Sequence, residues 1–129
     1  QLCFMSSLKH LDKFRIFRRN VFLKYQKSLP KNIKIFSHYN HKKDIVYRSV
    51  LIFKNKSLRN KFKKYMREKN IECRIPIDNY ELLHNYLRIN RKSFLNTEKI
   101  SSTTLSLPMH HNLSKNDVGK ICFSIKNFK

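Results

Sequence analysis

The sequence predicts an α+β fold in which three short strands form one sheet and the helices pack on one side of it. Apolar residues recur at helical spacing in residues 7–29 and 56–69, and again at the C-terminal end. β-Branched and aromatic residues fill residues 45–53, which is typical of a buried strand. A length of 129 residues with 40% apolar residues suits one domain that builds its own core.

The first predicted helix covers residues 7–29, and Pro30 ends it because proline keeps the preceding residue out of helical backbone. Its apolar stripe consists of Leu8, Leu11, Phe14, Ile16, Phe17, Val21, Phe22 and Tyr25. The part of this stripe expected to be exposed consists of Leu8, Leu11, Phe14 and Phe22. An exposed apolar stripe is expected to make the isolated chain self-associate. The polar residues 31–44 predict a loop.

The middle of the chain predicts a strand, a helix and a second strand. Residues 45–53 form the strand and residues 56–69 the helix. Asn70 follows, at a place where helices commonly end on a left-handed residue. Residues 71–75 alternate apolar and polar side chains, which predicts a second strand that Pro76 stops.

The C-terminal part predicts further helices and a third strand. Residues 78–87 read as a turn into a short helical stretch, residues 94–104 as a helix and residues 105–107 as the strand. The last helix is expected to begin at Ser114, because its hydroxyl can accept a backbone N–H and Asp117 nearly completes a capping box. One face of this helix carries Val118, Ile121, Cys122 and Ile125.

The charge is strongly positive, with 29 Lys and Arg against 8 acidic residues, a net charge of +21. Such a chain attracts polyanions at low salt, so a selected polyanion-binding surface is one interpretation. The other is compositional drift, because the bases are spread over helix faces and loops in a chain rich in Lys, Asn, Ile, Phe and Tyr, as in proteins of AT-rich genomes. No apolar run approaches the roughly 20 residues that span a bilayer, so no membrane association is predicted.

Several kinds of site are excluded by residue type. The only glycine, Gly119, falls within the last predicted helix, which leaves no Gly-rich phosphate loop. Cys3, Cys73 and Cys122 lack metal-ligand spacing, and the His110–His111 pair has no acidic or cysteine partners nearby in sequence. We therefore predict no metal site, and reduced thiols in a cytoplasmic protein.

Four segments together resemble the C-terminal end of the DegT/DnrJ/StrS family of pyridoxal-phosphate-dependent sugar aminotransferases. In chain order they are NIECRIPID (residues 70–78), HNYL (84–87), FLNTE (94–98) and LSLPMHHNLSKNDV (105–118). The first predicted helix is similar to the helix with which this family leaves its cofactor-binding domain. The sequence departs from the family pattern at Leu95 and His111, where a proline is usual.

The resemblance implies a fold and a reaction. Residues 31–129 would be the small C-terminal α+β domain of a fold-type I pyridoxal-phosphate aminotransferase, and residues 1–30 the connecting helix from a missing cofactor-binding domain. The family transfers an amino group, usually from glutamate, to a keto group on a nucleotide-linked sugar, in the synthesis of amino sugars or cell-surface polysaccharides, and its members are homodimers. Its Schiff-base lysine, its pyridine-facing Asp and its phosphate cup lie in the preceding domain. We therefore expect that this chain has no catalytic residue, binds pyridoxal phosphate only nonspecifically and does not catalyse transamination alone.

Three residues are candidate substrate contacts. Arg74 lies between a predicted strand and a loop stiffened by Pro76, where a guanidinium could bind a phosphate or carboxylate, although it could equally be an ordinary surface arginine. His84 is expected near the same loop, and His110 follows the third strand. A lone histidine is more often a surface or hydrogen-bonded core residue than a ligand contact.

A different class of function also fits the composition. A small basic nucleic-acid-binding protein would explain the charge of +21 and the aromatic residues interleaved with it. Those aromatic residues recur at core spacing, however, so that packing accounts for most of them.

Overall fold

The computed structural model describes residues 10–37 and 45–129 and confirms the predicted α+β fold with one three-stranded sheet. Two single-turn 3₁₀ helices, Asn79–Glu81 and Arg91–Phe94, lie before and after the short helix Leu83–Tyr86. In chain order the regular elements are α1 (Leu11–Ser28), β1 (Lys34–Ile35), β2 (Ser49–Ile52), α2 (Lys56–Glu68), α3 (Leu83–Tyr86), α4 (Leu95–Thr103), β3 (Thr104–Leu107) and α5 (Lys115–Lys126).

The sheet is antiparallel, in the order β1-β2-β3. Leu51 pairs with Leu105, so both side chains lie on the same face of the sheet and both are fully buried. Helices α1, α2 and α5 supply much of the rest of this core, with Tyr25, Phe62 and Ile125 each 0% exposed. The core therefore lies between one face of the sheet and the three long helices.

Helix α1 packs against α5, and its stripe is more buried than the sequence suggested. Phe22, expected in the exposed part, is 0% exposed, so this expectation was wrong. Phe22 lies beside Val21 and one turn from Tyr25, both also buried, so the C-terminal half of α1 contributes to the core. Leu11 is exposed and Phe14 half-buried, while Leu8 lies outside the described residues.

The second predicted strand, residues 71–75, is not a strand. Only Arg74 pairs there, through two backbone hydrogen bonds with Ser106 of 3.1 and 2.7 Å. Pro76 cannot donate to a ladder, and the N–H of Ile71 is already bonded to the carbonyl of Met66, which leaves this segment no room to extend.

Strand β1 lies in the segment that the polar composition predicted as a loop. Its two residues are too few to show a period-2 pattern, and they pair with Leu51 and Ile52. The predicted strand at residues 45–53 is shorter than expected and covers only β2. Residues 38–44 of the predicted loop lie outside the described residues.

Two local predictions are confirmed by geometry. Asn70 has φ 58°, the left-handed conformation expected after α2. Ser114 caps α5, with its hydroxyl accepting from the N–H of Asp117 at 3.1 Å while the Asp117 carboxylate accepts from the N–H of Ser114 at 2.9 Å. Within the described part of the chain, no helix is long and apolar enough to cross a membrane.

Candidate functional site

A concave cleft of about 1410 Å³ opens beside the edge of the sheet where Arg74 pairs with β3. Helix α1, the lead into β2, helix α2, residues 70–81, residues 106–113 and the first turns of α5 all contribute to its walls. Because these segments are far apart in sequence, the cleft exists only in the folded chain.

Basic side chains outnumber acidic ones in the cleft. The basic lining residues are Arg18, Arg48, Lys63, Arg67, Arg74 and Lys120, and the acidic ones are Glu72, Asp78, Glu81 and Asp117. Three of the four carboxylates belong to hydrogen-bonded caps: Asp78 and Glu81 cap each other in a capping box, and Asp117 caps α5. The surplus of positive charge favours an anionic ligand.

Arg18 and Arg48 approach the same aromatic ring at the cleft. The Arg18 guanidinium donates from Nη1 to the carbonyl of Tyr47 at 3.1 Å, and its central carbon lies 5.8 Å from the centre of the Tyr47 ring. Arg48 donates from Nη1 to the carbonyl of Pro76 at 2.9 Å and lies 5.6 Å from that ring. Sequence reasoning missed this cluster, because Arg18 and Tyr47 are 29 residues apart.

Arg74 lies in the cleft with its backbone fixed by the two bonds to Ser106. Its side chain is 81% exposed, and its Nε lies 3.6 Å from a carboxylate oxygen of Glu72, which is equally exposed. Such exposed ion pairs contribute little stability, so that a ligand anion can compete with Glu72 for the guanidinium.

His110 also lies in the cleft, just beyond the end of β3. It is exposed, and its carbonyl accepts from the N–H of Leu113 at 3.2 Å, which forms the turn toward α5. The neighbouring carboxyl of Asp117 has a lowered pKa, mainly because the Ser114 hydroxyl and N–H bond to it, with smaller contributions from Lys120 and His110.

His84 does not line the cleft with Arg74 and His110. It is 3% exposed in α3, with Nε2 2.7 Å from Oε1 of Glu98 in α4, and its ring stacks on Phe94 at 4.8 Å and 7°. The hydrogen bond from His84 is the main cause of the lowered pKa of Glu98. This surrounding is that of a hydrogen-bonded core histidine.

The described residues do not fit the covalent attachment of an aldehyde cofactor. A lysine that forms a stable Schiff base is normally desolvated, yet every described lysine is exposed except Lys63, which is half-buried in the cleft. Burial raises the pKa of the Cys73 thiol to about 12, which leaves it protonated and a poor nucleophile. The described residues contain no group of three or more His, Cys, Asp or Glu side chains placed to hold a metal ion.

Comparison with solved structures shows the fold alone, because the identities are low. The aminotransferase TlmJ from Streptoalloteichus hindustanus matches with a TM-score of 0.76 and 18% identity over 95% of this chain and 33% of its own. A sugar aminotransferase from Micromonospora echinospora matches with 0.76 and 14%, over 95% of this chain and 32% of its own. A DegT DnrJ EryC1 StrS aminotransferase from Brucella abortus matches with 0.75 and 22%, over 95% and 33%.

The chain thus spans about a third of the length of these aminotransferases. No curated protein matches the sequence. The sequence itself matches one protein family over residues 2–126, nearly its whole length, which confirms the resemblance found in the motifs. The chain belongs to the DegT/DnrJ/EryC1/StrS aminotransferase family.

Proposed function

We propose that the chain is the small C-terminal domain of a pyridoxal-phosphate-dependent aminotransferase that acts on nucleotide-linked keto sugars. Residues 31–129 form the domain, and residues 1–30, which include α1, form its connection to a cofactor-binding domain. The observation that carries the proposal is the family match over residues 2–126. A fold shared with about a third of several aminotransferases supports it.

The role of this domain is to form one wall of the substrate cleft. Arg74 and His110 line the cleft together, and its surplus of positive charge suits the phosphate groups of a nucleotide-linked sugar. His84 acts indirectly, because its bond to Glu98 holds α3 against α4 behind the loop that follows Arg74. The complete enzyme is a cytoplasmic homodimer that makes amino sugars, for example for cell-surface polysaccharides.

The domain does not catalyse transamination alone. Pyridoxal phosphate supplies the electron sink of the reaction when a complete enzyme binds it, and no described lysine has the buried surroundings of an attachment site. With 20 lysines in the sequence, scattered surface reaction with the aldehyde is expected at high cofactor concentration. Absorbance alone therefore does not distinguish specific from nonspecific binding.

Borohydride trapping followed by peptide mapping tests this part of the proposal. The purified chain is incubated with pyridoxal phosphate, with and without glutamate, reduced and digested. Label spread over many lysines, unchanged by glutamate, is the expected result. One lysine labelled at unit stoichiometry and discharged by glutamate before trapping would show that the chain is a catalyst in its own right. Lys63→Arg is the variant to compare with the wild type. Lys63 is half-buried in the cleft and is the one described lysine that is not exposed, so any specific attachment is expected there.

A second candidate, nucleic-acid binding, is favoured by the charge of α2. Glu68 is the only acidic residue of this helix, and none of its basic side chains forms an ion pair within residues 10–37 and 45–129. These side chains are Lys56, Arg59, Lys61, Lys63, Lys64 and Arg67, and all except the buried Arg59 are at least partly exposed. Such a helix could contact several successive phosphates of a nucleic acid.

Salt-dependent binding to duplex and single-stranded DNA tests the second candidate. The double variant Lys61→Glu with Lys64→Glu changes α2, and Lys24→Glu with Lys27→Glu makes the same charge change on α1; all four side chains are exposed. A nucleic-acid-binding face on α2 predicts a loss of at least about tenfold for the first variant alone. Equal losses for both variants would indicate attraction to any polyanion.

A further inference from the structure

We propose that Arg18 and Arg48, held against the ring of Tyr47, form a clamp for the diphosphate group of a nucleotide-linked substrate. This inference rests on the proposed function and assigns three residues of the cleft that were not among the predicted substrate contacts. The phosphate groups would lie between the two guanidinium groups, at the side of the cleft formed by α1 and the lead into β2.

The clamp is fixed by the fold before any ligand arrives. Arg18 reaches from the middle of α1 to the carbonyl of Tyr47, and Arg48 reaches to the carbonyl of Pro76 in the loop after Arg74. Each guanidinium is thus oriented by a backbone carbonyl of another segment, at 3.1 and 2.9 Å. Because these side chains are already ordered, less conformational entropy is lost when a ligand binds.

Two guanidinium groups share one aromatic ring. Both guanidinium carbons lie within 5.8 Å of the centre of the Tyr47 ring, in a chain with a net charge of +21. The electron-rich face of Tyr47 attracts each guanidinium group and helps to hold it at the cleft. An anion that contacts both guanidinium groups would gain charge-assisted hydrogen bonds from each of them.

A diphosphate fits better than a single carboxylate. Six basic and four acidic side chains line the cleft, and a diphosphate matches this surplus of two positive charges better than a ligand with one negative charge. Guanidinium groups bind phosphate oxygens in pairs of parallel hydrogen bonds. Tyr47 is 68% exposed and offers apolar surface to the nucleoside that adjoins the diphosphate.

The clamp is tested by titrating the purified chain with UDP and monitoring binding by NMR. The variants Arg18→Met and Arg48→Met remove one charge each while keeping a long side chain. Arg19→Met is the matched control, because Arg19 is adjacent on α1, exposed and outside the cleft lining. We expect UDP affinity to fall at least about tenfold in each clamp variant and less than about twofold in the control.

Two further probes identify the part of the ligand that is recognised. Inorganic pyrophosphate is expected to show the same dependence on Arg18 and Arg48, and uridine, which has no phosphate, to show none. Arg18→Lys keeps the charge without the planar fork and should restore part of the affinity. Melting curves of all variants must overlay that of the wild type, which shows that each variant is folded. If Arg18→Met is less stable, the UDP affinity of Arg18→Lys is compared with that of the wild type instead.

The clamp is overturned if UDP does not saturate the chain, or if Arg19→Met weakens binding as much as the clamp variants. It is also overturned if a single-stranded oligonucleotide depends on the clamp while UDP does not, because the ligand would then be a nucleic acid. Borohydride trapping involves neither arginine, so these outcomes leave its result untouched. Failure of the clamp is therefore distinguishable from failure of the proposed function.

Discussion

The Nε2 atom of His84 lies 2.7 Å from Oε1 of Glu98, and this contact joins α3 to α4 across 14 residues of chain. Arg91 adds a second, longer contact, with its Nε 3.8 Å from the same carboxylate oxygen. Phe94 covers the imidazole ring, so that His84 is almost completely buried while Glu98 remains 28% exposed. The pair fixes the segment between the cleft loop and β3.

Acid should weaken the contact between His84 and Glu98 by protonating the Glu98 carboxylate. The hydrogen bond from His84 lowers the Glu98 pKa, so that the ionised carboxylate is more favoured in the folded protein than in the unfolded chain. The stabilisation is complete above the ordinary glutamate pKa of about 4.3 and is lost as the pH falls through the lowered value. Between about pH 6 and pH 3, the free energy of unfolding measured with urea should fall more steeply with decreasing pH for the wild type than for Glu98→Gln.

Glu68→Gln is the control for this measurement, because Glu68 is an exposed carboxylate on α2 that contacts neither His84 nor Arg91. Glu68→Gln should leave the decrease of the free energy of unfolding with falling pH unchanged. An identical pH profile for the wild type and Glu98→Gln would show that the pair contributes nothing to stability.

Loss of the cap at Ser114 should destabilise α5. The Ser114 hydroxyl accepts from the N–H of Asp117 and donates to its carboxylate at 2.7 Å. Ser114→Ala removes both bonds and should lower the free energy of unfolding by about 1 kcal/mol. The Asp117 pKa should also rise toward its ordinary value, as followed by NMR titration, since Ser114 is the main cause of its lowering.

Ser57→Ala is a suitable comparison, because Ser57 is exposed in the first turn of α2 and does not cap that helix. Its effect should stay within about 0.5 kcal/mol. If both serine variants behaved alike, the capping box would have no measurable effect on stability.

The sequence predicted these local features better than the contacts that bring distant segments together. Ser114 and Asp117 are three residues apart, and Asn70 directly follows its helix, so that short-range spacing determines both conformations. The Arg18–Tyr47 contact and the burial of His84 depend on packing between segments far apart in the chain. Periodicity contains no information about such contacts, which is why His84 was expected with Arg74 and the cluster around Tyr47 was missed.

Phe62 should be the most sensitive position of the aromatic core. Its side chain is 0% exposed and meets Phe53 and Phe128 with ring centres 5.3 and 4.9 Å apart. Phe62→Ala should cost about 3–5 kcal/mol, a large part of the roughly 5–15 kcal/mol that stabilises a typical domain. Phe62→Leu retains most of the volume and should keep the chain folded, so that its loss can be measured by chemical denaturation. Phe123→Ala, at a 70% exposed ring on α5, should have little effect on that measurement.

Arg59 provides a prediction of the opposite sign. It is 4% exposed on α2, and its Nε and Nη1 atoms have no hydrogen-bond partner among the described residues. Burial lowers the pKa of its guanidinium, and the charge of Asp78 opposes this effect only in part. A buried charge with unsatisfied hydrogen-bond donors costs free energy, whereas methionine fills a similar volume without a charge.

Arg59→Met should therefore leave the free energy of unfolding unchanged or raise it by up to about 2 kcal/mol. Arg67→Met, on the exposed side of the same helix, should change it by less than about 0.5 kcal/mol. Arg59→Ala should be destabilising, because it removes the buried methylene stem and leaves a cavity. A loss of more than about 1 kcal/mol in Arg59→Met would mean that the guanidinium has a favourable partner, and chemical denaturation of the three variants side by side decides between these outcomes.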